Sequence, residues 1–178
     1  MKKRKVIILG FGGAIAMLPD AKGVLKPAKN VEEIFSIVPS LKKMADVSFF
    51  YELENRDSTN INPIHWSKLA WCVAGVHDKV DAIIVTHGTD TMAYTAGALS
   101  LALGRGLKIP IVFTGSQMPL IAHGTDAKFN LENAMNTALT ACEEGIAEVM
   151  IVFGDRVLRA NRSTKISHSV IHSFCLNL

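Results

Sequence analysis

Cysteine, aromatic residues and long apolar runs are all scarce in this chain, and each shortage excludes something. The three cysteines, Cys72, Cys142 and Cys175, are too few and too scattered for a disulfide framework or a metal cluster. Cys72 and Cys142 fall in apolar helical patterns, where cysteine serves as a small buried hydrophobe, and such usage suits a reducing compartment. Aromatics are 7% of the residues, and no basic stretch is interleaved with them as single-stranded nucleic acid would require. Lys and Arg total 19 against 16 Asp and Glu, a net charge of +3, so no nucleic-acid partner is expected. No stretch is long and apolar enough to span a membrane. No repeat, low-complexity tract or Pro/Ser-rich linker divides the 178 residues, a length for one domain or a domain plus a fragment.

What is present begins ambiguously. "KKRK" followed by "VIILGFGGAIAM" imitates a secretory leader, with a basic start, an apolar stretch and small residues at Ala14 and Ala16. The rival reading is a first buried strand and then a glycine turn. It is preferred because Gly12 and Gly13 would interrupt the apolar helix of a leader. A cytoplasmic location is therefore expected, export being the alternative.

Short apolar runs then alternate with amphipathic ones. Strands are expected at 5–10, 46–53, 80–87, 109–115 and 147–154. Helices are expected at 30–44, 62–79, 90–104 and 126–145. The first helix has Asn30 as N-cap, Glu33 three residues on, and Pro39 to end or kink it. The second starts at Pro63 and shows Trp66, Leu69, Ala70 and Val73 on one face. Residues 155–167 read as turn and strand, and 167–178 have no clear period. The strands are continuous Val/Ile runs, so both faces are covered. This is an α/β fold, a doubly wound, mostly parallel sheet with helices on both faces.

In such a sheet ligands bind at the carboxyl ends of the strands, and polar residues gather there. After 80–87 comes His87-Gly88-Thr89-Asp90-Thr91. Thr89 or Asp90 alone would serve as an N-cap, but the cluster exceeds what one cap needs. After the first strand "GFGG" makes a glycine turn, without the third glycine or the downstream acid of a dinucleotide fingerprint. "ENRDSTNINP" (54–63) is either an Asx/Ser turn or a ligand contact. "TGSQMP" (114–119) follows the fourth strand, and "RANRSTKIS" brings Arg159, Arg162 and Lys165 toward the same rim. A threonine hydroxyl is a weak nucleophile that needs a base. A desolvated lysine could serve Thr89 in that role, and Asp90 could hold the lysine or a substrate ammonium. Helix-end N–H groups suit a carboxylate or an oxyanion. The ligand these groups suggest is a small zwitterion with an attackable carbonyl.

At these residues the chain resembles a family. "VTHGTDTMAYTAGALSLAL" is similar to the second signature of the bacterial-type L-asparaginases and their glutaminase and tRNA-amidotransferase relatives. "VFTGSQMP", "TDAKFNLENA", "DSTNINPIHW" and "RANRSTKIS" resemble further blocks of that family in the same order, from residue 5 to about 168. The resemblance implies hydrolysis of asparagine to aspartate and ammonia, without cofactor or metal, through a threonine acyl-enzyme. It also implies a homo-oligomer with sites between subunits, and it leaves open a partner protein of the tRNA-amidotransferase kind. By position it implies that Thr89 is a catalytic threonine, Lys165 its basic partner, and Asp90 the acid of the trio and an ammonium ligand. Ser58 matches a residue for the substrate's α-carboxylate, with Thr59 beside it. Ser116 and Gln117 match the loop near the substrate amide, and Gly88 allows close backbone approach.

Two departures qualify the expected activity. The family's first signature reads Thr-Gly-Gly-Thr, whereas this chain has Phe11-Gly12-Gly13-Ala14. The position read as the primary nucleophile thus holds Phe11, whose bulk is expected to crowd the pocket, and the second hydroxyl is gone too. Val24 or Leu25 stands where the following loop usually carries a tyrosine. Family members are also longer, so residues 1–178 are expected to be an asparaginase-like N-terminal domain with the smaller second domain missing. The expectation is an impaired asparaginase-type amidohydrolase; the alternative is an inactive amino-acid-binding or truncated relic protein.

Overall fold

The computed structural model describes residues 3–20, 22–27, 31–52, 57–167 and 173–176. The expected N-cap Asn30 and the start of the "ENRDSTNINP" stretch lie outside them. The strands are β1 (Lys5–Phe11), β2 (Met17–Pro19), β3 (Leu25–Pro27), β4 (Asp46–Glu52), β5 (Ala82–His87), β6 (Ile111–Thr114), β7 (Val149–Phe153), β8 (Arg156–Arg159), β9 (Ser163–Lys165) and β10 (Phe174–Leu176). The helices are α1 (Val31–Ile37), α2 (Ser40–Met44), α3 (Pro63–Val76), α4 (Met92–Leu103) and α5 (Ala127–Glu143).

Six strands form the central sheet in the order β4-β1-β5-β6-β7-β8. All pairs are parallel except β7 with β8. The chain leaves β1 to build β4 on one side and returns to build β5 on the other. The crevice beyond the ends of β1 and β5 is therefore the topological switch point, where such sheets bind ligands.

Side chains alternate along each strand, and that alternation divides the core in two. Val6 and Ile8 of β1 join Ile84, Val112 and the buried face of α5. Ile7, Leu9 and Phe11 join Ile83, Val85, Phe113, Leu69 and Val73 of α3, and Met92 and Leu99 of α4. Helices thus cover both faces, as the unbroken apolar runs require.

Local signals fix the helix ends. Asn62 caps α3, its side chain accepting from Ile64 N at 3.1 Å, and Pro63 needs no partner for the N–H it lacks. The expected 30–44 helix is two pieces, α1 and α2, separated at Val38 and Pro39, because proline cannot take the helical hydrogen bond and clashes with the preceding turn. The stretch without clear period contains a strand after all. β10 pairs antiparallel with β9, Phe174 opposite Lys165, and Phe174 is buried with its ring 5.1 Å from that of Phe153. Among the described residues no helix is long and apolar enough to cross a membrane.

Candidate functional site

Six parts of the chain meet at the carboxyl ends of the strands around a cleft of about 380 Å³. It is lined by Gly13 and Ala14 after β1, Met17 and Leu25 of the β2–β3 hairpin, Asp57 and Ser58 after β4, Gly88, Thr89 and Asp90 after β5, Ser116 and Gln117 after β6, and Lys165 of β9.

The polar centre is Lys165. Its Nζ donates to Thr89 Oγ1 at 2.8 Å and to Asp90 Oδ1 at 2.8 Å. The lysine side chain is 9% exposed and the aspartate 44%. A lysine this far from water requires a counter-charge, and Asp90 supplies it while reaching solvent and any incoming ligand. Neither Thr89 nor Asp90 serves as the cap of α4. The N-cap is Thr91, whose hydroxyl donates to Ser58 O at 2.7 Å instead of capping. That bond ties the turn after β4 to the turn after β5.

Close backbone approach draws the walls together. A Cβ on Gly88 would come within 2.6 Å of Ser58 Cβ and 2.7 Å of its Oγ, so any larger residue would displace Ser58. Gly13 has φ +89°, and a Cβ there would meet Gly88 N at 2.6 Å. Glycine at both places lets three segments share the bottom of the cleft.

The other walls are held from behind. Asp126, just before α5, accepts from Gln117 N at 2.9 Å and Met118 N at 3.1 Å. Asn130 donates to Gly115 O at 2.8 Å and accepts from Gly154 N at 2.9 Å, joining the ends of β6 and β7. Ser116 donates to Met118 O. His87 is fully buried at the end of β5. Its Nδ1 lies 2.7 Å from Gly88 O, and because a carbonyl only accepts, the proton sits on Nδ1. Burial pushes its pKa down to about 4 against the small opposing effect of that bond. His87 is thus a neutral brace for the Gly88 backbone.

The structure therefore gathers Ser58, Gly88, Thr89, Asp90, Ser116, Gln117 and Lys165 at one cleft. Two expected residues are elsewhere. Thr59 is exposed, its N–H and hydroxyl both donating to Asp57 Oδ1 at 2.9 Å. Those bonds, backbone first, hold the Asp57 carboxyl below its usual range. Phe11 does not crowd the pocket: it is 0% exposed, with its ring 5.3 Å from that of His87 in the core beneath the cleft. The reason is strand alternation, which puts Phe11 on the helix-covered face with Ile7 and Leu9. The β1-end side chain that reaches the cleft is Ala14.

Sequence reasoning noted the hydroxyl missing at Ala14 but missed Met17, Asp57, the supporting Asp126 and Asn130, and Ser173, whose Oγ accepts from Gln117 Nε2 at 2.8 Å. Among the described residues no group of three His, Cys, Asp or Glu side chains gathers as metal ligands would.

Comparison with known proteins gives consistent results. Residues 5–177 match the family model described as Asparaginase, N-terminal. The chain is 33% identical to L-asparaginase 1 of Escherichia coli over 167 residues, 93% of this chain and 48% of that protein. It is 38% identical over 168 residues to a glutamyl-tRNA(Gln) amidotransferase subunit of Pyrococcus abyssi, 91% of this chain and 37% of that one. The thermostable L-asparaginase from Thermococcus kodakarensis superposes with a TM-score of 0.83 at 31% identity, over 97% of this chain and 51% of the other. The chain thus spans about half or less of the length of these relatives.

Proposed function

Because this chain belongs to the asparaginase family, we propose that its cleft binds an amino-acid amide of the asparagine type and carries part of an amide-hydrolysing apparatus. The observation that carries this reading is Lys165 Nζ at 2.8 Å from both Thr89 Oγ1 and Asp90 Oδ1, across some 75 residues of chain. Asp90 takes the substrate ammonium and Ser58 the α-carboxylate, while Ser116 and Gln117 face the side-chain amide. Thr89 is the hydroxyl within reach of a base. Its attack on the amide carbon needs Lys165 to shed a proton first, accept the threonine proton, and return it to the departing ammonia.

Turnover is slow in this reading because the β1 end brings Gly13 and Ala14 to the cleft and so offers it no side-chain hydroxyl. That same observation favours a second reading, a protein that binds the amino acid and does not hydrolyse it. Self-association and a cytoplasmic location belong to the first reading, and a protein partner is compatible with either, since one relative is an amidotransferase subunit.

Ammonia release from asparagine by pure protein separates the two. Slow release that falls about 100-fold in Thr89→Ala supports hydrolysis through Thr89. Release equal to that of a heat-killed control, with calorimetric binding of asparagine or aspartate, supports the binder. Ala14→Thr restores a hydroxyl at the cleft without touching the core and should raise the rate; no gain means the β1 end is not what limits it.

A further inference from the structure

Residues 116–118 form a wall of the cleft, with Ser116 and Gln117 in its lining, yet they belong to no strand or helix. Among the described residues no backbone–backbone hydrogen bond ties them to a neighbouring segment. Side chains hold their backbone instead. Asp126 Oδ2 accepts from Gln117 N at 2.9 Å, and Asp126 Oδ1 accepts from Met118 N at 3.1 Å. The hydroxyls of Ser116 and Thr125 donate to Met118 O.

Asp126 breaks a local rule in doing this. It stands at the N-cap of α5, where an aspartate normally accepts from N–H groups of its own helix. Its side chain makes no such bond, and Thr125 Oγ1 accepts from Ala127 N at 3.1 Å in its place. The carboxylate is given to the wall and to Asn130, whose Nδ2 donates to Asp126 Oδ2 at 3.1 Å. A backbone N–H can only donate, so the roles in the two wall bonds admit no exchange. The base is rigid, because Ala127, Leu131 and Ala134 seat α5 in the core. Local rules are given up in this way where a site needs the group more than the element does.

We propose that Asp126 is a positioning residue of the cleft: through the Gln117 and Met118 N–H groups it sets where Ser116 and Gln117 meet the ligand's side-chain amide. It lies outside the cleft lining and touches no ligand. Its effect falls on the amide end alone, since the ammonium and α-carboxylate go to Asp90 and Ser58 on other segments. This rests on the reading that the ligand is an amino-acid amide.

Titration calorimetry with asparagine and with alanine tests it on the full chain, on Asp126→Ala and on Asp126→Asn. Alanine has the same ammonium and α-carboxylate but no side-chain amide, so it reads Asp90 and Ser58 without the wall. The wild type should prefer asparagine. Asp126→Ala should cut that preference about tenfold, as losing hydrogen bonds to a carboxylate does, while alanine binding changes little. Asp126→Asn keeps one oxygen for the two wall N–H groups and should recover part of the preference. Hydrogen exchange on the wild type depends on no variant's folding: the Gln117 and Met118 amides should exchange slowly, as hydrogen-bonded groups do. Fast exchange there overturns the proposal, and so does an unchanged preference in Asp126→Ala. An equal loss for both ligands in that variant also overturns it, marking a purely structural role. Each of these results leaves the amino-acid reading standing, whereas binding of neither ligand by the wild type overturns both.

Discussion

A single aromatic ring illustrates how far apart neighbouring residues can be in role. Phe11 and Ala14 are three positions apart, yet one is buried under the sheet and the other lines the cleft. Phe11→Thr should therefore act on stability, costing about 3 to 5 kcal/mol as large-to-small core changes do, read as a lower denaturation midpoint with unchanged slope. His87 gives a second residue-level test. Its pKa falls from near 6.5 to about 4 on folding, so between those values the unfolded chain binds the proton and the folded one does not. The stability it contributes is full above about pH 6.5, is lost as pH falls, and levels off below about 4. The total is about 3 kcal/mol at 1.36 kcal/mol per pH unit. The advantage of wild type over His87→Gln should shrink by about that amount between pH 7 and pH 4 in urea titrations; a constant gap would mean the imidazole stays solvated.

Elements differ in how openly the sequence declares them. The central strands were legible because they carry unbroken apolar runs such as "AIIV" in β5, as a strand buried on both faces requires. The cleft members of the turn after β5 were legible because the polar cluster there exceeds what one helix cap needs, and those of the turns after β4 and β6 because their blocks resemble those of the family. The hairpin pairings were not legible, although 155–167, read as turn and strand, holds β8 and β9. β2, β3, β9 and β10 have three residues each, too short for a period, and their pairing is decided by what they pack on. Ser173 lay in a stretch that showed no pattern, and its partner Gln117 is 56 positions away. Because β10 holds β9 in register with Lys165 opposite Phe174, Phe174→Ala should cost about 3 kcal/mol or more. It should also weaken amino-acid binding beyond what the lost stability explains, as titration calorimetry well below the melting temperature would show. Unchanged affinity would mean that Lys165 finds Thr89 without the hairpin.

For the molecule as a whole, the cleft joins segments drawn from Gly13 to Lys165, so ligand binding and global stability are linked. An amino acid held by all of them at 100 times its Kd should add about 2.7 kcal/mol of stability, visible as a rise in melting temperature that is absent in Asp90→Ala. The outer surfaces of α3 and α4 lie side by side, with Trp66 Nε1 donating to Thr95 Oγ1 at 3.1 Å. They leave Trp71 79% and Leu101 76% exposed. If the proposed self-association uses this face, Trp71→Glu with Leu101→Glu should lower the mass seen by sedimentation; an unchanged mass places the contact elsewhere.

The hairpin also sets an order of assembly. A nascent chain emerges from its amino end, and every strand of the six-stranded sheet precedes Lys165, while Ser173 and Phe174 come after it. On the ribosome the sheet can close while the lysine still lacks its backing strand. The cationic centre of the cleft then sets after the sheet, and its chemistry is withheld until that scaffold already stands.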